Sequence, residues 1–337
     1  MSLRSGLAAQ IGFAEETTYG TRVVPTRFLE YSEEDLALDI ERMEAFGLRA
    51  SSGGASGTVL RTDRWAAGKK AASGSVSWDG ESSGVGNKGF SMLFKHLFGK
   101  VPTITTPGGG TATRDHVHTL GDPFGFSLTT QVGTPDTTGT VRVREYEGCK
   151  VMGGEFSQEL DRFLALSIDL DCEDETTSQT LASASYPAAQ ELFHWGQLTV
   201  QVGGSALDVT GYSLKIESPQ KDDRFFLRSS QLKKEPILNE RRKITGELEL
   251  EYGGLTEYNR YTAGTIAAVV ATWTGSLIEG ALNFRLILTC NDVRFDKPSG
   301  PNVSGPDIVT FTAPFEALYD GTDEPVQLDY RTTDTAV

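Results

Sequence analysis

Apolar and polar residues alternate most cleanly near the middle of this chain. From Leu164 to Glu175, a two-residue period puts Leu164, Leu166, Ile168, Leu170 and Cys172 on one side. Ala165, Ser167, Asp169, Asp171 and Glu173 fall on the other. The period predicts a strand with a core face and a carboxylate face. Two more stretches repeat it. Leu36, Leu38 and Ile40 stand opposite Asp35, Asp39 and Glu41, and Leu248, Leu250 and Tyr252 stand opposite Glu247, Glu249 and Glu251. Like charges opposed across a sheet repel by roughly 0.2–1 kcal/mol per pair. Three such strands therefore point to a sheet whose negative face has a use, against the blander reading of a solvated surface.

The pattern changes period once. Phe90, Leu93, Phe94, Leu97 and Phe98 follow the spacing of an amphipathic helix that Gly99 stops, so a helix is expected within 87–99, packed on a sheet. Strands are expected at Ser75–Asp79, Phe124–Leu128, Val141–Tyr146, Lys150–Gln158, Leu214–Glu217, 282–290 and 309–319, with a hairpin tip at Asp161-Arg162 and a short helical stretch at Leu255–Tyr261. Segments 46–74 and 101–121 read as loops, and 176–190 as a Ser/Thr/Ala-rich linker.

The two halves share an order: strand, basic loop, glycine-led strand, helix, strands, a cysteine followed closely by valine, and a long final strand. Gly74 corresponds to Gly246 and Cys149 to Cys290, and the first copy is longer by the glycine-rich segment near 101–121. The expected organisation is an extended arm over 1–31, a first β domain over 32–175, a linker over 176–210, a second β domain over 211–330 and a tail over 331–337.

Charge changes the picture next. A net charge of −15 argues against gripping nucleic acid or an anionic membrane through the bulk surface. Two segments reverse that sign locally. The first holds Arg49, Arg61 and Arg64 with Trp65 as an apolar anchor; the second, 221–243, holds Arg224 and Arg228. Both are docking candidates for the acidic surface of a neighbouring subunit. Three widely spaced cysteines with no CxxC indicate neither a disulfide framework nor a zinc knuckle. Cys172 and Cys290 read as small core side chains, and folding in a reducing cytoplasm is expected. No signal-peptide core or membrane-spanning run is present.

Catalytic patterns are absent. His116 and His118 have a metal-like spacing without a third ligand that can be placed beside them, and Asp169–Glu175 lacks the glycine of a calcium loop. No phosphate loop, nucleophile elbow or HExxH occurs, so no cofactor, metal or enzymatic activity is expected. A carbohydrate- or receptor-binding β-sandwich is the alternative. Its groove would need clustered aromatics, whereas Trp65, Trp78, Trp195 and Trp273 are scattered.

Glu15-Glu-Thr-Thr-Tyr-Gly-Thr21 with Pro25 and Phe28, the segment 74–99, and the ending Asn291-Asp-Val-Arg-Phe295 through Val303-Ser-Gly-Pro-Asp307 to Phe315-Glu-Ala-Leu-Tyr319 together resemble the major tail tube proteins of long, non-contractile-tailed bacteriophages. The resemblance implies a mainly β fold of two tandem tail-tube-like sandwich or barrel units, each with a flanking helix. It implies a structural virion protein, made in the host bacterial cytoplasm, whose rings stack into a hollow conduit for double-stranded DNA. Implied partners are the chain itself in trimeric or hexameric rings, a tape measure protein inside the tube, tail terminator and distal tail proteins, and DNA in passage. No catalytic residues carry over. On this reading Asp39, Glu41, Asp169, Asp171, Glu173, Glu247, Glu249 and Glu251 line the bore.

Overall fold

The structure is a computed structural model that describes residues 6–45, 65–79, 89–186, 192–303 and 305–337. The first half of the chain gives β1 (Gln10–Glu16), β2 (Arg27–Leu29), β3 (Glu33–Glu34), β4 (Ala37–Glu44), β5 (Trp65–Asp79), helix α1 (Ser91–Phe98), β6 (Thr103–Thr105), β7 (Arg114–Thr119), β8 (Ser127–Pro135), β9 (Val141–Glu159), β10 (Ala165–Cys172) and β11 (Asp174–Thr176). The second half gives β12 (Leu198–Val202), β13 (Ser205–Leu207), β14 (Gly211–Glu217), β15 (Gln220–Lys221), β16 (Ile237–Leu238), β17 (Lys243–Glu251), helix α2 (Thr256–Ala263), β18 (Ala267–Glu279), β19 (Leu282–Phe295), β20 (Thr310–Leu318) and β21 (Gln327–Thr332). The fold is mainly β and antiparallel.

Alternation decides the layers. One sheet runs β4–β5–β10–β9–β14–β17–β20–β19, every neighbour antiparallel. Its inward residues, including Val76, Ile168, Phe156, Leu214, Leu248 and Ala313, are all buried. A second layer of β12, β18, the first part of β19, β21 and β7 covers them. The rings of Tyr212 on β14 and Trp273 on β18 meet at 5.7 Å across the layers, and Trp273 Nε1 donates to Gln158 Oε1 at 3.1 Å. The first part of β9 leaves this sheet and pairs with β8, which pairs with β1.

Helix α1 closes the core. Phe94 lies 5.8 Å from the Phe156 ring, 5.5 Å from Tyr330 and 5.7 Å from His118, so one side chain joins β9, β21 and β7. Gly99 ends the helix in the left-handed region, at φ 68°, and donates to Lys95 O.

The halves lay out their strands alike. Each begins with a hairpin, β1–β2 or β12–β13, whose first strand pairs with the first strand of a later hairpin, β8–β9 or β18–β19. Each then contributes four strands to the central sheet in the same spatial order, β4–β5–β10–β9 and β14–β17–β20–β19, with a helix at the same point of the chain. β11 and β21 each return to the first part of their unit's long strand. Among the described residues β6 and β7 have no counterpart in the second half.

Several elements depart from the sequence expectations. β5 begins at Trp65, because the small residues of 65–74 pair with β4, so the second part of the expected loop 46–74 is strand. Segment 101–121, also expected as loop, contains β6 and β7; β7 buries His116 and His118, polar residues that alternation counts as outward. The expected linker 176–210 contains β12 and β13. The expected tail 331–337 begins inside β21, and Thr332 and Asp334 are fully buried, with Asp334 Oδ2 accepting from Gly89 N at 2.8 Å. Within the expected arm, β1 and β2 lie on the chain's own sheet.

Cys149 and Cys172 are bonded to each other, a pairing that spacing did not reveal, while Cys290 is free and buried. β9 and β10 are neighbours, and their pairing brings the two thiols together from 23 residues apart. Cysteine spacing therefore carries no information here about the compartment of folding.

Candidate functional site

The outward face of the central sheet is the candidate. Residues directly opposite one another on neighbouring strands share a face. One row therefore runs Ser77, Ser167, Glu155, Lys215, Thr245 and Glu316. The next runs Ser75, Asp169, Gly153, Glu217 and Lys243. On the other side of the first row, Glu247 sits opposite Ser213, Glu249 opposite Gly211 and Thr312, and Glu251 opposite Thr310. Glu159 is opposite Gly211 as well. The face thus holds the carboxylates of Asp169, Glu155, Glu159, Glu217, Glu247, Glu249, Glu251 and Glu316, with Lys215, Lys243 and Arg294 as cations among them; Lys215 pairs with Glu217 at 3.1 Å and Arg294 with Glu316 at 2.6 Å. Asp169, Glu155, Glu159, Glu249 and Glu251 are exposed. Partial burial holds the Asp169 carboxyl above its ordinary range, against the opposing pull of Lys215.

Four of the acids expected from sequence, Asp169, Glu247, Glu249 and Glu251, are brought onto this one face although they come from both halves of the chain. Asp39 continues it on β4, opposite Ala71, and is exposed. Glu41 lies at an irregularity in the β4–β5 register and is exposed. The alternation missed Glu155 and Glu217. Glu155 lies in a strand read as ordinary, and Glu217 ends a short one; only the register shows that both join the row.

Asp171 and Glu173 are not on the open face. The register shifts between Asp169 and Leu170, and beyond that shift the loop after β14 folds over the sheet. Lys233 from this loop, itself 1% exposed, pairs with the buried Asp171 carboxylate. Burial keeps Asp171 above the usual carboxylate range despite that partner. Arg228 approaches Glu173 at 3.6 Å; burial pushes the Glu173 carboxyl up to about 7, with Arg228 opposing the rise and Glu16, Asp174 and Glu147 adding to it. Lys150, also buried, reaches Glu235 of the same loop at 2.7 Å. The basic loop therefore docks on its own sheet.

The expected docking residues follow suit. Arg224 donates to Glu235 O at 2.6 Å, and Arg228 to Leu232 O and Lys233 O. Arg49, Arg61 and Arg64 lie outside the described residues. Trp65 is 60% exposed, with Arg42 5.4 Å from its ring centroid, at the end of the β4–β5 ribbon, where Ile40 and Met43 are exposed as well.

Enzyme-like groupings are taken up internally. His116 and His118 both meet the Ser91 hydroxyl, at 2.7 and 3.2 Å, inside the core. Among the described residues no cluster of three or more His, Cys, Asp or Glu is arranged to hold a metal. Trp78 and Trp273 are buried, leaving Trp65 and Trp195 as the exposed tryptophans, and among the described residues no helix is long and apolar enough to cross a membrane.

A family model described as phage tail tube protein matches residues 6–317, nearly the whole chain. The chain belongs to the phage tail tube protein family. Curated proteins give no match. For this tail tube protein, membership assigns a structural role in the tail of the virion. It also gives the acidic face a context, because the two-layer β fold that the family model spans is what carries the face.

Proposed function

We propose that this tail tube protein closes into rings with its acidic sheet face turned inward, and that the stacked rings form the conduit through which double-stranded DNA leaves the capsid. The observation that supports this reading is the uncovered carboxylate face built jointly by both halves. Duplex DNA carries one negative charge per ~1.7 Å of axis, and a wall of Lys or Arg would hold it by counterion release. A wall of Asp and Glu lets it slide. The proposed lining is Asp169, Glu247, Glu249 and Glu251, extended by Glu155 and Glu217 and, at the β4 edge, by Asp39 and Glu41. Asp171 and Glu173 are left out because the loop after β14 folds over them, with Lys233 on Asp171 and Arg228 beside Glu173.

The matching strand order of the halves supports an internal duplication, and with it a ring of three chains that present six similar units; six chains is the alternative count. Inside the chain the two units meet where β9 pairs with β14. The equivalent edges at the chain's ends are free: among the described residues β4 pairs on one side alone, with β5, and the end of β19 past Val293 pairs on one side alone, with β20. Joining them between chains would repeat the β9–β14 junction and remove the exposed edges that otherwise invite aggregation. The β4–β5 ribbon with Trp65 is the proposed contact to a neighbour. A tape measure protein within the bore, terminator and distal tail proteins at the tube ends, and synthesis in the host cytoplasm complete the reading.

The experiment is charge reversal. Asp169→Lys, Glu247→Lys and Glu249→Lys together should leave rods visible by electron microscopy while lowering the yield of infectious particles by ~tenfold or more, through retained DNA. Normal infectivity with intact rods would count against the lining.

A further inference from the structure

The two ends of the central sheet are chemically opposite. At the end where β14 leads towards β17, the covering loop projects Phe226, 53% exposed, and Leu227, fully exposed. Arg228 and Lys234 flank this apolar tip, with Lys234 Nζ 4.8 Å from the Phe226 ring centroid. The tip stands on a fixed base: the Arg224 and Arg228 guanidiniums bond the loop's own carbonyls, and the buried Lys233–Asp171 pair anchors it to the sheet. A projection held this way loses little freedom when it binds.

At the opposite end, roughly 20–25 Å away along seven or so strand residues, two adjoining hollows share the wall 206–210. The first, about 310 Å³, has Leu160, Trp195 and Val200 in its lining, and Trp195 and Leu160 are 46% and 52% exposed. The second opens beside Val209 and Phe311. Their rims carry Glu159, Asp208 and Glu251, and among the described residues no Lys or Arg lines either hollow.

We infer that the Phe226–Leu227 tip of one copy seats in the acid-rimmed hollow of the next copy along the tube. Apolar tip meets apolar floor, and Lys234 meets the rim carboxylates, which fixes the orientation of the contact. Because tip and hollow lie at opposite ends of one chain, the contact is heterologous and propagates without limit. The inference rests on the tube reading above and adds to it the residues of the axial joint.

Leu227→Cys combined with Val209→Cys tests it directly. On oxidation of assembled protein the double variant should give a ladder of linked chains on a non-reducing gel, and either single variant should not; Cys290, the free thiol among the described residues, is buried. Leu227→Asp, a change at an exposed position, should keep the wild-type melting temperature and ring diameter while the fraction of chain in rods falls at least ~tenfold. Wild-type-like rods from Leu227→Asp, with no ladder from the double variant, would overturn the joint and leave the tube reading standing. Wild-type protein that never forms rods would overturn the tube reading, and the joint with it.

Discussion

Asp171 shows how far a single side chain can depart from its pattern. Alternation identifies the sheet face on which a strand residue stands, but not what lies over that face, and here a loop sixty residues further along supplies Lys233. Removing one member of a buried ion pair leaves the other charged and uncompensated. Asp171→Ala should therefore lower the unfolding free energy by about 3–5 kcal/mol in urea melts, and Asp171→Leu with Lys233→Met should recover most of it. Glu173 makes a pH prediction. Burial raises its carboxyl from 4.5 to about 7, so the folded chain holds this proton more tightly than the unfolded one. Its contribution to stability is complete below about pH 4.5 and is lost as pH rises towards 7. Glu173→Gln should flatten the fall in melting temperature across that window; an unchanged slope would show that Glu16 or Glu147, whose carboxyls burial also raises, dominates it. The Cys149–Cys172 bond is a second contact invisible from spacing, since it depends on which strands become neighbours.

Elements were legible where one physical rule governed them alone. The Leu/Phe spacing of α1, its glycine stop and the hairpin tip at Asp161, which takes φ 58°, follow from local sequence. β6, β7 and the start of β5 do not: β7 is held by β21 from the far end of the chain and buries histidines that bond Ser91, β6 pairs in turn with β7, and the small residues that open β5 become strand by pairing with β4. Phe94, where three strands converge on the helix, is the element-scale test. Phe94→Ala should cost ~3–5 kcal/mol of stability, read from the denaturation midpoint. Gly246 tests the packing of β17. A Cβ there would meet Phe315 Cζ at 2.2 Å and Ser213 O at 2.6 Å, the latter backbone that cannot move aside. Gly246→Ala should destabilise by about 1–3 kcal/mol in the same melts. Gly74 lies in β5 and Gly246 in β17, each the second strand of its four-strand set.

At the scale of the molecule, the two halves share one core, and the acidic face exists because β9 and β14 pair across the midpoint. The sequence showed acidic strands but not their adjacency, since register is a property of the closed sheet. A count of chains around the tube by cryo-electron microscopy should give three; six would mean that the paired units of one chain do not stand in for two subunits. The loop after β14 sits at one end of the sheet and the hollows at the other. No rotation exchanges these ends, so a rod of such chains has a built-in sense of travel. In the proposed tube the two extremities are therefore different surfaces, and a protein that arrests growth at one should not recognise the other.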